Sequence, residues 1–440
     1  MLRIFRPKLR VSSRSHLQND DQLPLSGVRV LELGQLIAGP FAGQLLGHFG
    51  AEIIKVEPPN TGDPIRVWRE LDIDGVSPWF RSMARNKKSV VIDLRKEEGR
   101  RVVRQLAERS DVLLENFKPG TLEKWGLGPE DLHKTNPDLI FTRVSGYGQT
   151  GPWASRGGYA SVCEAESGFR YINGYPDPET GMLAGAPVRP NISLGDSVSG
   201  LHAAFGTVLA LLARNKRKAA GSRGGQTVDV SIMESMLNLM EGIVPEYSRK
   251  GVIRGPSGSS VTGIVPTNAY PTAESSSYVI IGANGDSIYE RLMNAIGRTD
   301  LIGPAYAHNQ ERVLRQAEIE DAISAWTRLR TPEEVCKVMD EARVPVGRIM
   351  NVKDIMSNEH VRARGMIEHI HVPSHKELSD GERAGGWDLE VSRVVPRLED
   401  AMPTRWAGPD LGQQTSEVLS EVLNYSSEKL DELRSKGIIN

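Results

Sequence analysis

The residue with the clearest chemical potential is Asp196, in the segment NISLGDSVSGLHAAFG at positions 191–206. The apolar residues that follow it at helical spacing are Leu201, Phe205, Val208 and Leu212. This pattern predicts an amphipathic helix over 201–213, with Asp196 just ahead of it or in its first turn. A carboxylate there could attack an activated acyl group and form a covalent intermediate, and the helix N-terminus would keep it ionised. The alternative role is a helix cap, which aspartate commonly fills.

The neighbouring Ser197 offers a second nucleophile, because GDSV resembles the start of a GDS-type esterase motif. Esterases of that class need an Asp-x-x-His element near the C-terminus, but none of the nine histidines follows an aspartate at that spacing. The sequence also lacks the G-x-S-x-G elbow of another hydrolase class. Hydrolysis through Ser197 therefore stays an alternative to attack by Asp196.

Three glycines in VSGYGQTGP, Gly146, Gly148 and Gly151, have the G-x-G-x-x-G spacing of a dinucleotide-binding turn. Such a turn needs a long helix directly after it, with the pyrophosphate at the helix N-terminus. Here Pro152 and a later pair of glycines leave barely a turn of helix, so the pattern does not predict NAD or FAD binding. The glycines still place backbone N–H groups at the carboxyl end of a predicted strand, where open α/β sheets bind ligands.

Other polar or glycine-rich turns also follow predicted strands. In RNKKS (85–89), Lys87 and Lys88 beside Asn86 could hold phosphates, although a solvated basic turn is the alternative. A different cluster, His369, His371 and His375, could bind a metal, but no carboxylate is spaced to complete a ligand set. We therefore predict a surface strand there and no metal.

Strands alternate with helices from residue 26 onward, and several strands are apolar on both faces. This alternation predicts βαβ units and a mainly parallel sheet, hence an α/β fold. The predicted division is a basic segment 1–22, a large domain of 23–213 and 345–440, a linker 214–227, a small domain 228–330 and a connecting helix 331–344.

The composition of the 440-residue chain excludes several classes of protein. Its formal net charge of −2 gives no basic field for nucleic acid, and the absence of an uninterrupted apolar run of about 18 residues predicts no membrane span. The two cysteines, Cys163 and Cys336, fit small buried residues in a reducing compartment.

The first eighteen residues, MLRIFRPKLRVSSRSHLQ, are rich in arginine and serine and contain no acid. This composition predicts a mitochondrial transit peptide and a place in the matrix. The alternatives are a short disordered basic tail and a cytoplasmic protein.

Several segments, in this order, resemble the family III CoA-transferases over about Leu25 to Asn440. They are GVRVLELGQLIAGPFAGQLLGHFGAEIIKVEPP, RNKKS, ENFKPGTLEKWGLG, VSGYGQTGP, SLGDSVSG and GRIMNVKDIMSNEHVRARGM. The resemblance implies a large Rossmann-like domain with a smaller α+β domain, in two interlocked subunits of a homodimer. It also implies CoA esters and free carboxylates as substrates, with no permanently bound cofactor.

The resemblance implies that Asp196 is the nucleophile. It also implies that the reaction proceeds through an aspartyl-acyl anhydride and an aspartyl-CoA thioester. The CoA contacts that it implies fall on Ile37, Pro58, Asn86, Asn116, Lys124 and Tyr147, next to the phosphate candidate Lys87. A glycine-rich loop at 255–263, with Gly258 and Gly263, corresponds to a loop that shields the intermediate. A thioesterase, or a racemase of the same family, is the chemical alternative.

The expected acceptor is a small dicarboxylate such as succinate or glutarate. Formyl-CoA–oxalate transferases of the family carry Gln where Ile37 stands and Arg where Pro58 stands, so oxalate is not expected. Arg189, seven residues before Asp196 in PVRP, could bind the second carboxylate bidentately. An ordinary ion pair is the alternative role of Arg189.

Overall fold

The computed structural model describes residues 23–222, 224–373, 385–399 and 402–440. The strands are β1 (Arg29–Glu32), β2 (Glu52–Glu57), β3 (Lys87–Val91), β4 (Val112–Glu115), β5 (Ile140–Ser145), β6 (Gln226–Ser231), β7 (Thr267–Pro271), β8 (Tyr278–Gly282), β9 (Val346–Arg348), β10 (Ile367–Val372) and β11 (Trp387–Ser392).

The helices follow the same order along the chain. They are α1 (Ala38–His48), α2 (Pro78–Met83), α3 (Glu97–Glu108), α4 (Thr121–Lys124), α5 (Pro129–Thr135), α6 (Ala160–Glu166), α7 (Leu194–Ala219), α8 (Ile232–Asn238), α9 (Ile243–Lys250), α10 (Asp286–Ala295), α11 (Asn309–Val313), α12 (Gln316–Thr327), α13 (Pro332–Glu341), α14 (Val352–Ser357), α15 (Glu359–Ala363), α16 (Thr415–Leu423) and α17 (Ser427–Ser435).

The first six strands form one parallel sheet in the order β3-β2-β1-β4-β5-β6. Helices α3, α16 and α17 contribute to the apolar core on one face, and α1 and α7 to the core on the other. The strand order reverses between β1 and β4, and open α/β sheets bind ligands at the carboxyl ends of the strands beside such a reversal. The prediction of an α/β fold with a Rossmann-like parallel sheet is confirmed.

The chain divides into two compact units. One contains residues 23–163, 193–236 and 367–440 of the described chain, and the other contains 164–192 and 237–366. In the second unit the antiparallel sheet β7-β8-β9 packs with α10, α12 and α13 around a core of its own.

These units differ from the division that we predicted. The predicted linker 214–227 is largely regular structure, because α7 continues to Ala219 and β6 begins at Gln226 as the sixth strand of the parallel sheet. The helix predicted to connect the domains, 331–344, packs against β8 and β9 within the second unit. The basic segment 1–22 lies outside the described residues.

Helix α7 begins earlier and faces differently than the sequence predicted. The large apolar residues of its predicted core face are exposed: Leu201 by 52%, Phe205 by 62% and Leu212 by 56%. Small residues on the opposite side, such as Ala203 and Thr207, are buried, because they allow α7 to pack closely on α1 and the sheet. By length and composition alone α7 could cross a membrane, a test that core helices of water-soluble proteins also pass.

Candidate active site

A cavity of about 480 Å³ opens at the carboxyl end of the parallel sheet, within the first unit. Its wall combines the turn after β1, the loops after β4 and β5, and the start of α7. The lining residues are Gln35, Leu36, Ile37, Ala38, Trp68, Asn116, Phe117, Lys118, Pro119, Val144, Ser145, Gly146, Arg156, Gly157, Gly158, Tyr159, Ser193, Asp196 and Ile232. This volume is in the range of small-molecule sites.

Asp196 is half-buried on this wall and belongs to the first turn of α7. The residue at the N-cap position is Ser193, so the helix begins before Asp196 and the predicted cap role does not describe its position. The positive end of the helix dipole favours a carboxylate in the first turn. Asp196 therefore borders the cavity at the positive end of this helix.

A second helix N-terminus reaches the same cavity. Ala38 is the first residue of α1, and the first turn of α1 contains no acidic residue. Helix α7 packs directly on this turn: a Cβ at Gly200 would lie 2.6 Å from the carbonyl oxygen of Ala38, so only glycine fits there. The two helix ends together place partial positive charge beside Asp196, where an anionic substrate or intermediate would bind.

The turn between β1 and α1 forms the wall next to these helix ends. Asn116 fixes Gln35 from both sides, because its Oδ1 accepts from the N–H of Gln35 and its Nδ2 donates to the carbonyl, each at 2.8 Å. Asp63 accepts from the N–H of Leu36 at 3.1 Å, and Lys55 donates to the carbonyl of Gly34 at 2.8 Å. Side chains from three other segments thus hold this turn.

A network of buried charges lies beneath the turn. The Nζ of Lys87 donates to Glu32 at 2.7 Å and to the carbonyl of Pro40 at 2.7 Å, and Lys55 bridges Glu32 and Asp63. Burial lowers the pKa of Lys87 to about 8, although the charge of Glu32 opposes the shift. A Cβ at position 43 would lie 1.9 Å from the carboxylate oxygen of Glu32, so any larger residue there would displace this side chain from the network.

A second cavity of about 310 Å³ lies at the ends of β1, β2 and β3. It shares Gln35 and Phe117 with the Asp196 cavity, so the two adjoin. Its other lining residues are Leu33, Val56, Glu57, Pro58, Pro59, Asn60, Thr61, Ile92, Asp93, Leu94, Arg95 and Trp125. The rings of Phe117 and Trp125 meet edge to face at 5.6 Å, which gives this cavity an aromatic wall.

Arg156 is a cationic residue on the wall of the Asp196 cavity. Its guanidinium lies 5.2 Å from the ring centroid of Tyr147 and 4.6 Å from that of Trp153, and the two rings meet edge to face at 5.7 Å. Cation–π contacts of this kind orient a guanidinium. Arg156 and Lys118 add positive charge to the cavity that contains Asp196.

The structure separates the CoA contacts implied by the resemblance. Ile37 and Asn116 line the Asp196 cavity, although the amide of Asn116 is engaged by Gln35, and Pro58 lines the adjoining cavity. Tyr147 is buried beside Gly146, where it packs against Trp153 and Arg156.

Three other residues that were predicted to contact CoA, Lys87, Asn86 and Lys124, line neither of the two cavities. Lys87 is fully buried in the charge network, so its ammonium does not reach a bound phosphate. Asn86 is also buried, and its Oδ1 accepts from the N–H of Arg405 at 2.8 Å. Lys124 ends α4 and lines neither cavity. For Asn86 and Lys87, the sequence pattern RNKKS marks a structural turn.

The remaining predicted residues belong to the second unit. Arg189 is 41% exposed, and its Nε lies 3.8 Å from Glu164, which also pairs with Arg170 at 2.8 Å. Gly258 and Gly263 have φ angles of 65° and 79°, which favour glycine at both positions of the loop.

The first two histidines of the predicted cluster lie on β10, which pairs antiparallel with β11. His369 and His371 point outward from β10 and face Glu390 and Asp388 of β11 at 3.3 and 3.1 Å. His375 lies outside the described residues. Within the described ranges, no group of three or more histidine, cysteine, aspartate or glutamate side chains could hold a metal ion.

Sequence reasoning pointed to the segment 36–43 but named only Ile37 in it, and it missed Trp68 and Arg156 as cavity residues. Arg156 stands directly before Gly157 in PWASRGG, the segment that excluded a dinucleotide turn, so its position after a strand end was a usable signal. The positive φ of Leu36, 64°, could not be predicted from the sequence, because leucine rarely adopts this conformation.

Comparison with known proteins identifies the family to which the chain belongs. The sequence model of the family described as CoA-transferase family III matches residues 25–415 of this chain. Succinyl-CoA–D-citramalate CoA-transferase of Chloroflexus aurantiacus is 45% identical over 419 residues, covering 94% of this chain and 98% of that protein. Succinyl-CoA:glutarate CoA-transferase of Mus musculus is 33% identical over 427 residues, covering 96% and 91%.

Solved structures support the same assignment. A CAIB/BAIF family protein from Brucella suis superposes with a TM-score of 0.75 at 28% identity, covering 91% of this chain and 99% of that one. The resemblance that the sequence motifs indicated is confirmed. The chain belongs to CoA-transferase family III, and its activity is that of a CoA-transferase.

Proposed function

We propose that this chain transfers CoA from succinyl-CoA to a small dicarboxylate, with Asp196 as the covalent nucleophile. The single observation that carries the mechanism is the position of Asp196, in the first turn of α7 and on the wall of the cavity. The sheet edge and two helix N-termini surround it with groups that favour anions.

The proposed chemistry proceeds through two covalent species on Asp196. The carboxylate attacks the donor thioester carbonyl, the C–S bond breaks, and CoA leaves as the thiolate from an aspartyl-acyl anhydride. The thiolate then attacks the aspartyl carbonyl, which releases the donor carboxylate and leaves an aspartyl-CoA thioester. The acceptor carboxylate displaces CoA to form a second anhydride, and the thiolate attacks its acyl carbon to release the product and regenerate Asp196.

The two adjoining cavities support a path for the extended CoA molecule. The thioester end occupies the cavity of Asp196, and the nucleotide end occupies the cavity beside Pro58, where Phe117 and Trp125 supply an aromatic wall. Base stacking on such side chains is a common means of binding an adenine. Gln35 and Phe117 border both cavities and lie where the pantetheine arm passes.

The proposed acceptor is a dicarboxylate of four or five carbons. The two transferases named above act on D-citramalate and on glutarate, and both use succinyl-CoA as the donor. We propose that Arg189 binds the second carboxylate of the acceptor, and that this contact replaces its long ion pair with Glu164. The glycine-rich loop around Gly258 and Gly263 is the proposed shield of the intermediate.

A matrix of acyl-CoA donors against carboxylic acids tests this proposal, with product CoA esters measured by mass. We expect succinyl-CoA with glutarate, citramalate or malate to give the fastest transfer. Release of free CoA at the same rate without an acceptor would identify a thioesterase. Exchange of the proton next to the thioester carbonyl, without transfer, would identify a racemase.

The proposed assembly is a homodimer that covers α7. The exposed apolar stripe of this helix consists of Leu201, Phe205, Leu209 and Leu212, each about half exposed or more. Contiguous apolar surface of this kind marks an interaction site. Sedimentation should show a dimer for the unmodified chain and a larger fraction of monomer for Phe205→Glu. A monomeric unmodified chain would contradict the proposal.

The proposed location is the mitochondrial matrix, supported by the basic, acid-free composition of residues 1–18 within the segment 1–22. Imaging of a fluorescent fusion with and without this segment tests the proposal. Equal distribution of both fusions in the cytoplasm would contradict it.

A further inference from the structure

The turn beside Asp196 contains a residue in an unfavourable conformation. Leu36 has a φ of 64°, in the left-handed region, where the Cβ of an L-residue crowds the following carbonyl oxygen. Residues persist in this region only when their surroundings fix them, and they concentrate at functional sites. Leu36 lines the cavity of Asp196. What holds it there therefore bears on the reaction.

Asp63 is the side chain that fixes Leu36 directly. Its Oδ1 accepts from the N–H of Leu36 at 3.1 Å, and its Oδ2 lies 2.8 Å from the Nζ of Lys55. The same lysine donates to the carbonyl of Gly34 at 2.8 Å, so one ion pair holds both sides of the turn.

Asp63 is itself rigid and sealed from water. It is fully buried, its N–H donates to Glu57 at 2.9 Å, and its Oδ1 also accepts from the N–H of Ile65 at 3.2 Å. Burial disfavours the charge on Lys55, but Asp63 and Glu32 outweigh this effect and raise the pKa of Lys55. Lys55 thus remains charged across the pH range in which enzymes are assayed.

We infer that Asp63, backed by Lys55, is a positioning residue that holds Leu36 in the left-handed conformation and so presets the cavity wall against the acyl group on Asp196. This inference rests on the proposed function. Asp63 acts through the backbone of Leu36, because its carboxylate is buried behind the turn. A residue that needs no help to adopt positive φ would remove most of the need for Asp63.

The test is Asp63→Ala in three backgrounds: Leu36, Leu36→Ala and Leu36→Gly. Alanine removes the leucine side chain but keeps the restriction on φ, whereas glycine removes both. We expect Asp63→Ala to lower kcat about 30-fold with Leu36 or Leu36→Ala, but only about 3-fold with Leu36→Gly. The affinity for a non-reactive CoA thioether analogue of the donor should show the same pattern.

If Asp63→Ala lowers kcat equally in the Leu36→Gly and Leu36→Ala backgrounds, the inference is overturned, because a role of Asp63 in general stability does not depend on the φ preference of residue 36. Thermal unfolding of each variant shows whether such an equal loss comes from lower stability. If Asp63→Ala does not fold, Asp63→Asn keeps an acceptor for Leu36. It should retain kcat within about 5-fold, since the lost charge faces Lys55 and not the cavity. A folded Asp63→Asn with kcat lowered beyond 100-fold would also overturn the inference.

Absence of transfer by the unmodified chain would contradict the proposed function instead. The thioether affinities then decide the inference by themselves, through the same comparison of the glycine and alanine backgrounds.

Discussion

Two charged regions of the first unit lie close together along the sheet but differ in their access to ligands. Asp196 borders an open cavity, with two helix N-termini around it. Lys87 and Glu32 lie in a sealed network, where each charge is matched by an opposite charge or a backbone carbonyl. Both regions contain residues that the sequence marked as chemical candidates.

The difference shows that residue type and position after a strand do not decide between catalysis and support. A buried ammonium that already donates to Glu32 has no capacity for a ligand, whereas a half-buried carboxylate beside a cavity can react. The sealed network supports the open site instead, because it holds the turn from Gly34 to Ile37. Changes in the two regions should therefore affect different measurements.

The largest effect on activity should come from Asp196→Asn, which keeps the size of the side chain but removes the nucleophile. We expect transfer to fall on the order of 1000-fold or more, with the melting temperature nearly unchanged. Rates of product CoA ester formation measure this effect. Ser197→Ala is the matched control and should stay within a few-fold of the unmodified enzyme. Loss of activity in Ser197→Ala, with Asp196→Asn active, would contradict the assignment.

The sealed network should respond in stability. Lys87→Met leaves the buried charge of Glu32 with fewer partners, so we expect the free energy of unfolding to fall by about 3–5 kcal/mol. Its neighbour Lys88 is the control, because it is partly exposed and pairs with Glu52 and Glu417. Lys88→Met should cost less than about 1 kcal/mol. Denaturant titration measures both, and equal costs would contradict the distinction between the regions.

Arg189 tests a charge of intermediate exposure. Replacing Arg189 by Met should lower kcat/KM for a dicarboxylate about tens-fold, because a charged hydrogen bond to substrate is worth about 2 kcal/mol. The loss should be smaller for a monocarboxylate of similar length. Equal losses for both acids would leave Arg189 with only its ion pair to Glu164.

The most gradual effect, which builds up over about 2.5 pH units, should be a pH dependence of stability from His48. Burial, together with Arg85, Arg393 and Arg405, lowers the pKa of His48 to about 4 against the opposing charge of Glu368. The unfolded chain therefore takes up a proton below pH 6.5 that the folded chain does not. We expect the free energy of unfolding to fall by about 1 kcal/mol per pH unit from pH 6.5 towards pH 4.

His48→Gln should flatten this slope. His369→Gln, which removes an exposed histidine of β10, is the comparison for the loss of one histidine, and its slope should change less than that of His48→Gln because His48 is buried. Parallel slopes in both variants and in the unmodified chain would mean that other groups cause the acid sensitivity.

The parallel sheet could be predicted from the sequence because its signal is local. Apolar strands alternate with amphipathic helices, and Asp196 stands at a predicted helix start next to glycines. The face of α7 could not be predicted, because the helix buries its small residues and exposes Phe205. Helical periodicity alone does not reveal that close packing on α1 favours the side with Gly200.

The roles of Lys87 and Asp63 also depend on long-range contacts. Lys87 meets Glu32 across 55 positions of the chain, and Asp63 meets Leu36 across 27. Neither pairing has a local sequence pattern. The sequence therefore predicted only a basic turn at Lys87 and no special role for Asp63. The fold placed them beneath the cavity wall.

The most direct test of the central claim is the mass of the peptide that contains Asp196 after reaction. The enzyme is mixed with succinyl-CoA, quenched during turnover, treated with borohydride and digested. The mechanism predicts that the side chain of Asp196 is reduced to an alcohol, since anhydrides and thioesters are reduced and free carboxylates are not. Other carboxylates should stay intact. An unmodified Asp196 peptide from an enzyme with proven turnover would contradict covalent transfer through this residue.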